Sequence, residues 1–120
     1  MINEAAPSAL DTAAAVRTGR TSARETAEAA LTRIARLDPE LNAIVASDAD
    51  RAVAQAVEVD RRVAAGEHLP LAGVPLAVKD TEDTVGYRTI HGSRLFADTA
   101  YATSDSVLVT GAVPGSTTAA

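Results

Sequence analysis

Lys79 is the one lysine in this chain of 120 residues, and every other fixed cation is an arginine. It closes the apolar run Leu76, Ala77, Val78 within "LAGVPLAVKD" and precedes the acidic, turn-rich "TEDTVGYRTIHGS". An ammonium at the carboxyl end of a buried strand stands where open α/β sheets place their ligand sites. Partial burial lowers a lysine pKa, so that an amine can serve as a base, whereas a guanidinium stays protonated. On spacing alone a surface lysine paired with Asp80 or Glu82 is the commoner arrangement, so both readings stand at this level.

The remaining candidates are weaker. His68 and His91 are lone histidines without a partner at ligand spacing, and zinc requires three or four converging ligands. His68 reads as a loop residue. "GAVPGSTT" (111–118) resembles a phosphate loop only superficially, because no lysine precedes the Ser/Thr at the required position. Ser93 in "HGS" has no glycine at the offset of a nucleophile elbow and no strand before it. Asp80, Glu82 and Asp83 lack the alternation and closing carboxylate of a calcium loop and read as a solvated acidic turn. No metal and no cofactor is expected.

The elements that must carry these residues fall into two regimes that divide near Gly66. Residues 1–66 read as helical. Ser8 with Asp11 and Ser22 with Glu25 are capping-box starts, and Gly19 is a stop. Ala27, Ala30, Leu31, Ile34 and Leu37 share one helical face, and Pro39 should end that helix at Asp38. "ELNAIVA" is short and apolar enough to be extended. A third helix should start near Ser47 or Asp48, turn Ala52, Val53, Ala56, Val59 and Val63 inward, and close at Gly66. In residues 67–120 the continuous run after Pro75 suggests a strand covered on both faces. Turns follow, then the short apolar "SVLVTGAV". The expected fold class is therefore α/β: N-terminal helices packed on part of a mixed or parallel sheet. One clear strand is too few for such a sheet, so its core reads as incomplete.

Composition bounds the function. Nearly half the residues are apolar, 47%, yet alanine supplies much of this and there is one Phe, two Tyr, one Met and no Trp. Alanine buries little area, which makes a self-sufficient core thin. With 11 basic and 16 acidic residues the net charge is −5, and no basic stripe with interleaved aromatics appears, so nucleic acid is not an expected partner. The absence of cysteine removes disulfides, thiolate metal sites and a cysteine nucleophile. The N-terminal stretch does not read as a signal peptide, and no apolar run approaches membrane-spanning length, so no membrane contact and a cytoplasmic location are expected.

Taken together, three segments resemble the N-terminal portion of the amidase signature family. "SARETAEAALTRIARLDPELNAIVASDADRAVAQA" is similar to its N-terminal helices, including the D-P-x-L-N-A turn at Asp38 to Ala43. "PLAGVPLAVKD" resembles its G-[VI]-P-x-x-[VI]-K-D segment, and "GYRTIHGS" its G-x-x-T-x-x-G-S. The resemblance implies hydrolysis of carboxamide C–N bonds by a Ser–Ser–Lys triad. In such a triad the lysine exchanges a proton with a bridging serine, which activates a nucleophilic serine to form an acyl-enzyme. It assigns the lysine role to Lys79 and a positioning role to Asp80, Gly92 and Ser93, with a small amide as substrate.

The sequence also departs from that pattern. Both triad serines belong to a Gly/Ser-rich segment that the family carries further downstream and that is not found here. Ser116 stands where a second lysine is usual, and the segment between Val109 and Gly111 is short for the helix the family places there. Without nucleophile and oxyanion donors Lys79 has no acyl transfer to assist, so the chain by itself is expected to be inactive. Two alternatives stay open. One is a non-catalytic interaction protein, completed by a partner polypeptide or by oligomerisation. The other is a truncated, decaying product.

Overall fold

The computed structural model describes residues 5–112. Among the described residues four α-helices carry the regular structure: α1 (Ala9–Arg17), α2 (Ala23–Leu41), α3 (Ala49–Ala64) and α4 (Val107–Ala112), with a 3-10 turn at Arg94–Phe96. The chain divides into two units, the first ending at Leu76 and the second beginning at Ala77.

In the first unit the helix starts are those written in the sequence. The Ser8 hydroxyl accepts from the Asp11 amide at 3.1 Å. Ser22 and Glu25 form a complete capping box: Ser22 Oγ accepts from the Glu25 amide at 3.0 Å, and Glu25 Oε2 accepts from the Ser22 amide at 2.8 Å. Two amides that no helical carbonyl can reach are thereby satisfied. The Asp48 carboxylate caps α3 through the Arg51 amide. A further anchor is tertiary. The Asp60 carboxylate on α3 accepts from the Ala23 and Arg24 amides, at 2.7 and 3.1 Å, which fixes the α2 N-terminus against α3.

Pro39 does not end α2 at Asp38; the helix continues to Leu41 and stops at Asn42, whose φ is 51°. A proline in the last turn forfeits only one intrahelical bond. Asp38 offsets the loss, for its Oδ1 accepts from the Ala43 and Ile44 amides just beyond the helix, at 2.7 and 3.0 Å.

The core of this unit is small. Val16, Ala23, Ala56, Leu69 and Ala72 are buried together, with Ala27, Val59 and Val63 packed against them. The segment after α3 returns across the helices, held by Arg17 donating to the Pro70 carbonyl at 2.8 Å and Thr26 Oγ1 to the Gly73 carbonyl at 2.5 Å. Gly73 has φ +69°, and a β-carbon there would stand 2.6 Å from Val16 Cγ2. Only glycine lets the backbone approach α1 and α2 so closely.

The α/β expectation is overturned: among the described residues there is no β-strand, and the fold is helical. The run after Pro75 is irregular and forms no ladder with any of them, and Leu76 and Val78 are 55% and 37% exposed. A short apolar run is ambiguous by periodicity, and extension becomes a strand only where another edge accepts and donates its backbone hydrogen bonds. "ELNAIVA" likewise forms the end of α2 and an irregular connection. "SVLVTGAV", a short apolar stretch in sequence, contains α4.

Candidate functional site

The second unit is knitted by carboxylates from the acidic turn. The Asp80 carboxylate accepts from the Ile90 amide at 2.9 Å and the Gly92 amide at 3.1 Å, while its carbonyl accepts from the His91 amide at 3.0 Å. Three successive amides are thus gathered by one residue. The geometry requires His91 at φ 51° and Gly92 at φ 65°, a left-handed pair that aims consecutive N–H groups to one side. The Ile90 amide, more than that of Gly92, holds the Asp80 carboxyl below the usual carboxylate range, because these bonds favour the ionised acceptor.

The same logic uses up the other acids. Glu82 Oε2 accepts from the Ser106 hydroxyl at 2.7 Å, and Asp83 Oδ1 from the Thr89 hydroxyl at 2.6 Å. Asp105, further along the chain, accepts from the Val85 amide at 2.8 Å. The acidic turn is therefore neither solvated throughout nor a cation loop; it is the set of acceptors around which a unit poor in buried apolar groups is tied. Among the described residues no group of three or more His, Asp or Glu side chains is placed to hold a metal ion. Ser106, Thr89 and Asp105 carry much of this network, and nothing in their spacing marks them in sequence.

Lys79 lies at the end of the irregular segment 74–79, immediately before Asp80. Its residue is exposed, and its carbonyl accepts from the Glu82 amide at 3.0 Å. The alternative of a lysine consumed by Asp80 or Glu82 does not hold, since Lys79 forms an ion pair with neither and both carboxylates have other donors. Lys79, Asp80 and the 90–92 turn are thus joined through adjacent backbone.

Ser93 follows the turn. Its amide donates to the Ile90 carbonyl at 2.9 Å, and its hydroxyl accepts from the Leu95 amide at 3.3 Å, capping the 3-10 turn. The His91 ring meets Phe96 edge to face, 5.1 Å between centroids. Arg88 lies 4.6 Å over the Tyr101 ring and donates to the Ala97 carbonyl. His68 is exposed and belongs to the first unit, His91 to the second. Ser116 lies outside the described residues.

The first unit has a concavity of about 380 Å³ between α1 and α2, lined by Asp11, Thr12, Glu25 and Thr26 among others. None of the candidate residues lines it. No helix among the described residues is long and apolar enough to cross a membrane.

Comparison with known proteins locates this arrangement. The family model described as Amidase matches residues 25–113. The chain is 49% identical over 83 residues to a glutamyl-tRNA(Gln) amidotransferase subunit of Alkalilimnicola ehrlichii, and 53% identical over 78 residues to the corresponding protein of Prochlorococcus marinus. These matches cover 69% and 64% of this chain but only 17% and 16% of the relatives, in their N-terminal part. A solved structure of a vestigial protein complex, described as revealing the evolutionary origins of an s-triazine catabolic enzyme, superposes with TM-score 0.82 at 39% identity. It covers 87% of this chain and 23% of that one.

Proposed function

The chain belongs to the amidase family, and from that premise we propose that it supplies the lysine of a Ser–Ser–Lys amide hydrolase. Lys79 is the base, exchanging a proton with a bridging serine that lies outside this sequence. That serine takes the proton of a nucleophilic serine as the latter attacks the carboxamide carbonyl, and the proton is then passed to the amide nitrogen, so that ammonia leaves as the C–N bond breaks and an acyl-enzyme forms. Asp80, through the Ile90 and Gly92 amides, positions the 90–92 turn beside Lys79, and Ser93 sets the turn that follows.

One observation supports this reading most directly. The family match spans the K-D and G-S motifs, and the structure leaves Lys79 exposed while its acidic neighbours are engaged elsewhere. An amine that neither neighbour claims is available to a hydroxyl brought up beside it. The substrate is a small carboxamide, and the chain by itself does not turn it over, because nucleophile and oxyanion donors are both needed.

Ammonia release from simple carboxamides tests the proposal. The purified chain is expected to release none. Release that disappears in Lys79→Ala would show a nucleophile within this sequence and overturn it.

Completion by a partner polypeptide is the second reading. It is supported by the relatives' own description as one subunit of an amidotransferase and by the solved likeness having been found in a complex.

A further inference from the structure

Lys79 is followed closely by three acids, Asp80, Glu82 and Asp83. Its carbonyl accepts from the Glu82 amide at 3.0 Å, which closes residues 79–82 into a β-turn. The first and last α-carbons of such a turn lie within about 7 Å, a gap that lysine and glutamate side chains are long enough to bridge. Glu82 is therefore an acid well placed to pair with Lys79. An ion pair there would favour the charged form of the amine, and an amine held protonated accepts no proton.

Glu82 is held instead by a segment outside all three motifs. Ser106 Oγ donates to Glu82 Oε2 at 2.7 Å, in a partly buried contact, and the Ser106 amide donates to the Asp83 carbonyl at 2.9 Å. Asp105 Oδ1 accepts from the Val85 amide at 2.8 Å, and the Ala102 carbonyl from the Gly86 amide at 3.0 Å. Residues 102–106 thus run beside residues 82–86, and this pairing brings the Ser106 hydroxyl to the carboxylate. The other acids of the turn are engaged too, Asp80 by the Ile90 and Gly92 amides and Asp83 by the Thr89 hydroxyl. A hydroxyl donating to a carboxylate at this length is a charge-assisted bond, whereas an exposed lysine–glutamate pair gains little against water. The serine takes the carboxylate.

We propose that Ser106 is a positioning residue for Lys79: by donating to Glu82 it withholds that carboxylate from the ammonium and leaves the amine free to exchange a proton. The proposal rests on the amidase reading for the use to which a free amine is put. The competition for Glu82 is a property of this chain alone, and the ammonia assay does not touch it. Failure of one is therefore seen without failure of the other.

Because Lys79 is the single lysine, its reactivity is read without interference from another ε-amine. The test follows acetylation of Lys79 in the full chain by the N-hydroxysuccinimide ester of acetic acid at mildly alkaline pH. Mass spectrometry of the peptide separates Lys79 from the amino terminus. Ser106→Ala is expected to slow the reaction about two- to fivefold, the ratio that an exposed ion pair sets. Adding Glu82→Gln to that variant should return the rate to that of the unmodified chain, and Ser106→Thr, which keeps the hydroxyl, should leave it there. A serine with a merely structural role would not be rescued by removing a charge. An unchanged rate in Ser106→Ala would overturn the proposal, as would a slowed rate that persists in Ser106→Ala/Glu82→Gln. Should amide exchange show that Ser106→Ala unfolds the second unit, Ser106→Cys decides by the same outcomes, since a thiol keeps the shape with a much weaker donor.

Discussion

The Asp80 carboxylate accepts a hydrogen bond from the Gly92 amide at 3.1 Å, twelve residues along the chain, and so clamps the turn within the third motif to the residue beside Lys79. Two segments that the sequence presents as separate motifs are one structural feature. The clamp depends on the left-handed pair His91–Gly92, which presents its amides to a single acceptor.

Asp80→Ala removes that acceptor and leaves the Ile90 and Gly92 amides to water. Amide exchange at both positions is expected to accelerate markedly, with α1 to α3 unaffected. Asp80→Asn keeps one acceptor oxygen and should restore part of the protection. Equal protection in Asp80→Ala and the unmodified chain would show that the turn holds without the clamp.

Acid should loosen two places together. Backbone amides hold Asp80 below its ordinary range, Ile90 foremost, and the Ser22 amide does the same for Glu25. A depressed carboxylate stabilises the fold above its unfolded pKa, and the contribution is lost as pH falls through the lower folded value. Exchange rates, corrected for intrinsic pH dependence, should thus be steady from neutrality to about pH 4 and rise below it at Ile90, Gly92 and the start of α2. Protection that increased on acidification would contradict the assignment.

Gly73→Ala meets Val16 Cγ2 at 2.6 Å and the Ala23 Cα at 3.0 Å, in a backbone at φ +69°. Backbone strain and overpacking together should destabilise the first unit by about 2–4 kcal/mol in chemical denaturation. Gly66→Ala provides the comparison, since its φ is +87° and nothing lies within 4 Å. It should cost only the backbone part, about 1 kcal/mol. Equal losses would mean that the close approach at Gly73 is relieved by movement of α1.

Asp60→Ala leaves the Ala23 and Arg24 amides without their tertiary acceptor. A loss of about 1–3 kcal/mol is expected, appearing as fraying of the first turn of α2 in amide exchange. Ser22→Ala, which breaks the local capping box, should cost about 1 kcal/mol. Losses that simply add in the double variant would show that the two devices act independently.

Lys79→Ala should leave stability within about 0.5 kcal/mol of the unmodified chain, as expected for an exposed side chain away from packing. A large loss would give Lys79 a structural role instead. In a complete amidase whose aligned segment is replaced by this chain's residues, the same substitution is expected to abolish ammonia release while the melting midpoint stays put.

How much of this is legible in the letters varies with the range of the interaction. The helix starts at Ser8, Ser22 and Asp48 are local events, each a side chain meeting an amide three residues on, and such spacing is visible in a string of residues. The inward stripe of α3, centred on Ala56, follows for the same reason. The family likewise rests on short motifs in order, which is why Lys79 stands out.

What the sequence left open was every outcome that needs a partner distant along the chain. Whether Leu76–Val78 is a strand depends on a neighbouring edge, and none is present among the described residues. The end of α2 is a nearer case that the letters also left open: Asp38 accepts from amides five and six residues on, outside the three-residue spacing of the helix starts. Whether Glu82 and Asp83 would hold a cation, a lysine or water was settled by Ser106 and Thr89 arriving at hydrogen-bond distance. Local backbone preference fixes helices and caps because both members of each interaction are neighbours. Pairing across the chain is a competition among acceptors, and only the tertiary structure says which donors reached Asp80 and Glu82 and left Lys79 unclaimed by either.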